Sequence, residues 1–455
     1  SSLPAPRLSG LLFALHLCAI VLFAWTGALV FGPLSLGLRS DALSAAWLAC
    51  GAAALALGAF AFLPPRFWAA LARHTGATWA GALGLGLLAA GFDAYGAMLW
   101  RPSAALTFRL VALLLQPFLT GVIADPARHI IGTEAFNIEI GATCSGVEGV
   151  ALMLGFSALW LWVFRRSCRF PRALLLAPAG MILIWTLNGV RIAALILIGN
   201  AGARDLAAGG FHSQAGWIAF NAVAFAFAMS ARKIRWLAAP ASSHAAAPVE
   251  PADPNAAYLA PLLAILVAAM VARASTTRLE LVYPIQLLAG AAAFWLFRRE
   301  YRRMDWSMSL SAPLFGAAAG AVWLACDRLI PGPRLLAPAE GTASLLCGAL
   351  AAVTLIPAAE ELAFRGFLPR RLVSAAFLSV PPKAVGLIPL LVSTLAFSFY
   401  HAVHWLAAAL AGSLYAAAFL RRGRTSDAVA AHAFANLLLV ICAALTGRSL
   451  FATLW

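Results

Sequence analysis

The chain has 455 residues, of which 63% are hydrophobic and only 11% are charged. With a mean hydropathy of +0.89, this composition excludes an ordinary soluble globular protein. The net charge of +15 raises the question of nucleic-acid binding. The basic residues, however, form short clusters between apolar stretches instead of one basic face, as in the cytoplasmic loops of membrane proteins. We therefore predict that the chain associates with a lipid bilayer and not with nucleic acid.

Apolar stretches of about 15–25 residues recur along the whole chain, and a helix of this length crosses the hydrocarbon core of a bilayer. We therefore predict an all-α fold, a polytopic transmembrane helical bundle of about 13 spans in two modules. In chain order the stretches are 11–31, 42–63, 78–100, 143–164, 173–198, 213–230, 258–272, 281–297, 310–330, 343–364, 385–402, 405–420 and 427–446.

Residues 239–257 are rich in Ala, Pro and Ser and contain no stretch long enough to span a membrane. Such a composition is typical of a linker. We predict a cytoplasmic linker here, between a first module at 1–238 and a second module at 258–455. The sequence shows no internal repeat, which predicts that the two modules are unlike each other.

Arginine clusters predict how the first module is oriented. Short loops rich in Lys and Arg remain in the cytoplasm, so the loops 165–172 and 231–239 are expected there. The spans that flank these loops then have their other ends at the outer face. This arrangement requires that 105–123 is not a full span, and we expect a helix that lies in the outer interface. Alternating apolar and polar residues at 135–140 predict a short external strand.

Three reactive side chains of the first module, Cys144, Arg191 and His212, fall near the outer ends of the predicted spans. A thiolate at a helix N-terminus can attack a peptide carbonyl, a histidine can transfer protons and an arginine can stabilise the oxyanion. Each residue also has a structural interpretation, because cysteines fill cores, arginines extend to the interface and histidines cap helices. The convergence of all three favours the catalytic interpretation, since ionisable groups within spans are costly.

The first module resembles the exosortase/archaeosortase family over roughly residues 1–238. The resemblance rests on a CSG motif that begins at Cys144, an NxxR motif that ends at Arg191 and His212 at the start of the following span. It implies a membrane-embedded cysteine transpeptidase that recognises a C-terminal sorting signal with a transmembrane helix and a basic tail. It also implies that Cys144 is the nucleophile, Arg191 the oxyanion stabiliser and His212 the acid and base. Glu148 is expected to pair with Arg191, either for catalysis or as a structural pair.

Three short motifs, EExxxR, FxxxH and HxxxN, carry the polar residues of the second module. Residues four apart lie on one helix face, so Glu361 and Arg365 are expected to form an ion pair near the site. Glu360 then points elsewhere and is free for chemistry. A glutamate and two histidines can hold a water molecule or a metal ion against a substrate carbonyl, and an asparagine can donate to the oxyanion. The set comprises Glu360, Glu361, Arg365, His401, His432 and Asn436.

These motifs, in this order, resemble the CPBP family of intramembrane proteases, which includes the CAAX prenyl endopeptidases, over roughly residues 258–455. The resemblance implies that Glu360 and His401 activate water and that His432 and Asn436 stabilise the oxyanion. No cofactor is predicted, because the module has no HExxH motif. A metal ion at this site stays open as an alternative.

The two predicted sites are expected to open toward different faces of the membrane. Cys144 belongs to the outer end of its span, whereas the arginine clusters at 370–371 and 421–424 place Glu360 toward the cytoplasm. A simple helical hairpin would carry His401 to the opposite end. A tilted or re-entrant helix, or a deep funnel, is therefore required to bring His401 back to the glutamates.

Together, the two halves resemble fused exosortase and CPBP proteases associated with VPEID-CTERM-like sorting signals. The resemblance implies a multi-pass peptidase and transpeptidase of the bacterial cytoplasmic (inner) membrane that cleaves or transfers surface-destined proteins at the outer face. Its expected partners are membrane-anchored proteins that end in a sorting signal. Two alternatives stay open. One is a non-catalytic second module that holds the substrate, and the other is a transporter, which would require inverted repeats or broken helices that the sequence does not show.

Overall fold

The computed structural model describes residues 9–31, 41–239, 254–276, 281–329 and 342–446. Most of this part of the chain is helical, and each predicted apolar stretch coincides with a helix. The α-helices are α1 (Gly10–Phe31), α2 (Asp41–Phe62), α3 (Pro65–Thr75), α4 (Ala77–Leu115), α5 (Val147–Val163), α6 (Leu176–Asn200), α7 (Arg204–Leu206), α8 (His212–Lys233), α9 (Pro254–Ser275), α10 (Val282–Leu296), α11 (Arg298–Tyr301), α12 (Ala312–Leu329), α13 (Thr342–Val353), α14 (Leu355–Glu361), α15 (Leu368–Val373), α16 (Leu387–Tyr400), α17 (Trp405–Arg422) and α18 (Thr425–Thr446).

Eight helical stretches among the described residues are long and apolar enough to cross a membrane. Three further apolar helices, α5, α10 and α16, are shorter than a full span. The predicted polytopic helical bundle is thereby confirmed, and the predicted number of about 13 spans is an approximation. The predicted number of spans exceeds the eight found among the described residues because an apolar stretch in the sequence does not show where its helix begins and ends.

Helix α4 differs from the prediction. The sequence predicted a break before an interfacial helix at 105–123, whereas α4 continues through Pro102 as one helix of 39 residues. Its part Met98–Leu115 has the length and composition of a span. The position of 105–123 in the outer interface stays a prediction. Proline lacks the amide hydrogen of a helical bond, but membrane helices tolerate it where neighbouring groups satisfy the freed carbonyl.

A small antiparallel sheet follows α4. Its strands are β1 (Ile123–Asp125), β2 (Ile130–Gly132) and β3 (Asn137–Glu139), in that spatial order. The short strand predicted at 135–140 is therefore present, as β3. Ile131 of the sheet is fully buried in a cluster with residues of α4 and α6, so the sheet is anchored on these two helices. This anchoring fixes the loop that leads from β3 to α5.

Contacts between Cα atoms divide the chain into two compact units, residues 1–96 and 97–455. All of the predicted site residues belong to the second unit. The predicted linker at 239–257 lies mostly outside the described residues, and its last part already belongs to α9, which begins at Pro254. The assignment of 1–238 and 258–455 as separate modules remains a prediction.

The helix that carries the EExxxR motif is interrupted twice. Helices α13 and α14 are separated at Thr354, whose φ of -122° and ψ of -81° are not helical. A π-helical turn, Leu362–Phe367, then follows Glu361. Such turns inside helices often accompany functional sites. The two interruptions leave α14 as a short, buried segment between α9 and α18, with both glutamates at its end.

Candidate active sites

Cys144 lies in a tight turn and not on the first turn of a long helix. It ends a 3-10 turn at Ala142–Cys144, and α5 begins three residues later, at Val147. Gly146 connects the two with a φ of 86°, a conformation that favours glycine. A Cβ on Gly146 would also approach Trp185 to 2.9 Å and Asn188 to 3.1 Å. The turn therefore requires a glycine two residues after the cysteine.

Side chains of α4 and α6 hold the backbone of this turn. Asn188 donates from Nδ2 to the Cys144 carbonyl oxygen over 2.9 Å. The hydroxyls of Ser103 and Thr107 both donate to the Ser145 carbonyl oxygen, over 2.7 and 3.0 Å. These bonds restrict the backbone on which the thiol is mounted. None of the three donors was predicted from the sequence to have a role, although Asn188 begins the NxxR motif one helical turn before Arg191.

The structure brings the three predicted residues of the first site together. The Sγ atom of Cys144 lies 3.6 Å from Nε2 of His212, within hydrogen-bond distance for sulfur. Nη1 of Arg191 donates to the carbonyl oxygen of His212 over 3.4 Å, and its Nε atom is buried without a hydrogen-bond partner. His212 is the first residue of α8 and directly follows a π-helical turn at Ala207–Phe211. The thiol of Cys144, the imidazole of His212 and an unpaired guanidinium donor of Arg191 therefore lie close together.

A cavity of about 380 Å³ opens beside these residues between α5, α6 and α8. Its polar end contains Arg191, His212 and Glu148, and Glu148 lies within electrostatic reach of Arg191. Its other walls are mainly apolar. Gly216 of α8 faces Arg191 so closely that a Cβ would lie 2.9 Å from Nη1. The cavity is large enough for a few residues of an extended chain, and its lining includes His212 and Arg191.

Glu361 and Arg365 form a fully buried ion pair in the second site. The distance from Arg365 Nη1 to Glu361 Oε1 is 2.9 Å, and the two side chains are 1% and 0% exposed. Arg365 also donates from Nη2 to the Gly412 carbonyl oxygen over 2.9 Å and lies 4.4 Å above the centre of the Phe397 ring. The same Glu361 oxygen is 2.9 Å from Nδ1 of His432. Glu361 therefore positions both a guanidinium and an imidazole.

Glu360 lies beside this pair with an unused carboxylate oxygen. Its side chain is buried, and Oε2 has no hydrogen-bond partner although Nε2 of His432 is 3.9 Å away. The hydroxyl oxygen of Tyr400 is buried too, and it is directed at the Glu360 carboxylate without completing a standard hydrogen bond. Tyr400, which directly precedes the motif histidine, was not predicted from the sequence as a site residue. Two buried polar atoms without partners, Glu360 Oε2 and Tyr400 Oη, thus lie in this region, with Glu360 Oε2 close to His432.

His401 reaches the same region because α16 is short. The helix has 14 residues, and its length of about 21 Å is less than the thickness of a hydrocarbon core. His401 caps its end, its Nδ1 bonded to the Phe397 carbonyl oxygen over 2.9 Å. The ring of Phe397 in turn contacts His432, with 5.8 Å between centroids. Ala402, with a φ of 40°, makes the turn that follows. Phe397 thus links His401 to His432, which contacts both glutamates. The tilted or re-entrant helix, or deep funnel, expected from the sequence stays a prediction.

Asn436 has a partner that the sequence analysis did not foresee. Its Nδ2 atom donates to the carbonyl oxygen of Ala352 over 2.8 Å, just before the interruption of the helix at Thr354. The amide that was expected to meet an oxyanion is therefore bonded to the backbone. Its role in stabilising an oxyanion remains a prediction. In the part of the chain that the structure describes, no group of three or more His, Cys, Asp or Glu side chains is arranged to hold a metal ion.

The two sites lie in regions that match two different family models. Residues 127–229 match the family model described as transmembrane exosortase (Exosortase_EpsH). Residues 342–438 match the model described as type II CAAX prenyl endopeptidase Rce1-like. The chain combines an exosortase-like region with a CAAX-protease-like region. The exosortase-like region includes the whole of the first site, and the CAAX-protease-like region includes the whole of the second.

Neither a search of curated proteins nor a search of solved structures returned a match. Between them the two family matches cover 200 of the 455 residues. They support a membrane protease or transpeptidase, in agreement with the class of enzyme expected from the sequence.

Proposed function

We propose that the exosortase-like region is a cysteine transpeptidase or protease that cleaves surface-destined membrane proteins near a C-terminal sorting signal, at the outer face of a bacterial cytoplasmic membrane. The observation that supports this proposal is the 3.6 Å contact between Cys144 Sγ and His212 Nε2, with Arg191 beside it. The neighbouring cavity has a polar end at these residues and mainly apolar walls. Such a cavity suits a peptide segment that enters next to a transmembrane helix.

The residues of the first site divide the reaction between them. His212 takes the proton of the thiol as Sγ of Cys144 forms a bond to the substrate carbonyl carbon. Arg191, which has an unpaired Nε donor, stabilises the negative charge on the carbonyl oxygen. The peptide C–N bond then breaks, and His212 returns the proton to the departing amine. Water or an acceptor amine releases the acyl group from the resulting thioester.

The CAAX-protease-like region is a second, non-thiol protease site in this proposal. Glu360 and His401 hold and deprotonate a water molecule, which attacks a substrate carbonyl inside the membrane. His401 bonds the Phe397 carbonyl through Nδ1, so in the neutral ring Nε2 carries the lone pair. His432, held by Glu361, faces the reacting atoms through Nε2. Asn436 either donates a hydrogen bond to the oxyanion or, through its bond to the Ala352 carbonyl, holds the backbone that shapes the oxyanion site.

Separate inactivation of the two sites tests the proposal. Tagged membrane proteins that end in a transmembrane helix and a basic tail would be coexpressed with the chain, and their processing followed by gel shift. We expect Cys144→Ala and Cys144→Ser to abolish the Cys144-dependent cleavage with unchanged protein level. Cys442→Ala, on α18 and outside both sites, is the matched control and should process normally.

Glu360→Ala distinguishes the two interpretations of the second site. If this region is a protease, Glu360→Ala abolishes a second cleavage product while the Cys144-dependent product persists. If Glu360→Ala leaves every product unchanged, the second region is a substrate-holding scaffold. Normal cleavage by Cys144→Ala would refute the first site outright.

A further inference from the structure

A second cavity, of about 600 Å³, lies at the membrane face that carries the arginine clusters. It is formed by the start of α9, the segment after α10, α15 and the turn between α17 and α18. We call it the arginine cleft. Among its lining residues are four arginines and two carboxylates: Arg303, Arg370, Arg422, Arg424, Glu300 and Asp305. The lining therefore has a surplus of positive charge.

Only part of this positive charge is compensated. Arg424 lies 3.0 Å from Asp305, and hydrogen bonds from the Ser307 hydroxyl and amide, reinforced by Arg424, lower the pKa of Asp305 and keep it ionised. The contact between Arg303 and Glu300 is longer, 3.7 Å, and the Arg303 side chain is 75% exposed. Arg422 makes no ion pair with any described residue.

Arg370 gives the cleft a buried, fixed cation. Only 7% of the residue is exposed, and no carboxylate of the described chain pairs with it. Its Nε atom donates to the Gly366 carbonyl oxygen, and Nη2 donates to the Tyr258 hydroxyl over 3.3 Å. The Tyr258 and Phe377 rings lie 5.5 and 5.3 Å from the guanidinium carbon. A buried cation without a counter-ion is costly, and a bound anion would remove that cost.

The remaining lining is apolar and suits the membrane interface. Met304, Leu362 and Leu378 provide hydrocarbon surface, and Trp306 is a residue type enriched at the level of lipid headgroups. An anion that carries its own apolar extension matches this combination better than a bare ion. We propose that the arginine cleft binds the phosphate headgroup of an anionic phospholipid, with Arg370 as the buried contact and Arg303 and Arg422 as the outer ones.

The chain supplies matched controls for this proposal. Arg303 and Arg422 line the cleft, whereas their sequence neighbours Arg302 and Arg421 are also exposed but do not line it. The full chain, purified in neutral detergent, would be titrated with phosphatidylglycerol labelled on its acyl chain, and binding followed by fluorescence anisotropy. We expect R303Q/R422Q to weaken binding by about tenfold or more, since each lost charged hydrogen bond costs roughly that factor. The control R302Q/R421Q has the same net charge as R303Q/R422Q and should bind phosphatidylglycerol as tightly as the wild type does.

Competition identifies the source of the phosphate. Displacement by unlabelled phosphatidylglycerol, but not by phosphatidylcholine or inorganic phosphate, supports a membrane lipid. Equal displacement by inorganic phosphate supports the anion site and assigns it to a soluble phosphate. Displacement by phosphatidylcholine, or equal weakening in both double variants, overturns the proposal, because either result means that the cleft does not select a phosphate anion.

Discussion

At the scale of single residues, two adjacent glutamates have opposite tasks. Glu361 binds both Arg365 and His432 through one oxygen, Oε1, at 2.9 Å from each, whereas Glu360 has only the 3.9 Å contact between its Oε2 and His432. The Oε2 atoms of both carboxylates are buried without a hydrogen-bond partner. A carboxylate that binds a guanidinium and an imidazole holds structure, and one without such bonds is available for chemistry. The EExxxR motif shows two adjacent glutamates but does not show which of them binds Arg365. Their difference arises because the i,i+4 geometry of a helix turns only one of them toward Arg365.

We therefore expect Glu360→Gln to abolish cleavage by the second site while the thermal stability stays close to that of the wild type. Glu361→Gln should lower the unfolding free energy by about 3–5 kcal/mol, because it leaves the buried Arg365 without its counter-ion. Thermal denaturation in detergent and a cleavage assay on the same samples measure both effects.

A double variant provides the control for this prediction. Glu361→Gln combined with Arg365→Met removes both charges, so it should be more stable than Glu361→Gln alone. A stable, inactive Glu361→Gln together with an active Glu360→Gln would reverse the two roles.

At the scale of elements, both sites adjoin π-helical turns. The turn Ala207–Phe211 precedes His212, and the turn Leu362–Phe367 follows Glu361 and contains Arg365. Each turn rotates the helix relative to a regular α-helix, so the side chains beyond it face a different direction. Both turns contain glycine, but hydrophobic periodicity does not distinguish such a turn from the helix around it.

The two glycines of the first turn form a matched pair for a mutational test. A Cβ on Gly210 would collide with the Arg273 backbone of α9, whereas a Cβ on Gly209 meets open space. Gly210→Ala should cost about 1–3 kcal/mol and reduce Cys144-dependent cleavage, because α8 must shift and carry His212 with it. Gly209→Ala should be neutral or slightly stabilising, since alanine favours helix. Equal behaviour of the two variants in stability and cleavage would contradict this role of the α8–α9 contact.

Some elements were predictable from the sequence and others were not. Apolar length predicted the helices, and alternation predicted the strand at Asn137–Glu139, because both signals are local. The continuity of α4 through Pro102 and the interruption at Thr354 depend on neighbouring helices. For the same reason Asn188 and Tyr400 were missed, since the groups they face, the Cys144 carbonyl and the Glu360 carboxylate, are distant in sequence.

At the scale of the whole molecule, the orientation in the membrane decides where each reaction occurs. The arginine loop at 165–172 is expected in the cytoplasm, and Cys144 at the opposite end of α5 then faces outside. The arginines at 370–371 and 421–424 flank the second site and are expected on the same side as the loop. Under this orientation a substrate meets the thiol from outside, and the second site lies nearer to the cytoplasm.

Thiol labelling tests this orientation, but the natural cysteine of the arginine loop is a poor probe. Cys168 is only 7% exposed, and burial raises the pKa of its thiol, so little reactive thiolate forms at neutral pH on either side of the membrane. Its neighbour Ser167 is exposed, and Ser167→Cys in a chain without other cysteines provides a reactive probe of the same loop.

A membrane-impermeant maleimide applied to intact spheroplasts should label a chain that retains only Cys144. It should label the Ser167→Cys chain only after lysis, because the arginine loop is held on the cytoplasmic side by its charge. Labelling after lysis in both chains confirms that each thiol is reactive. The reverse pattern in intact cells would place Cys144, Arg191 and His212 at the cytoplasmic face. A surface-destined substrate would then have to be processed before export, which is incompatible with cleavage at the outer face.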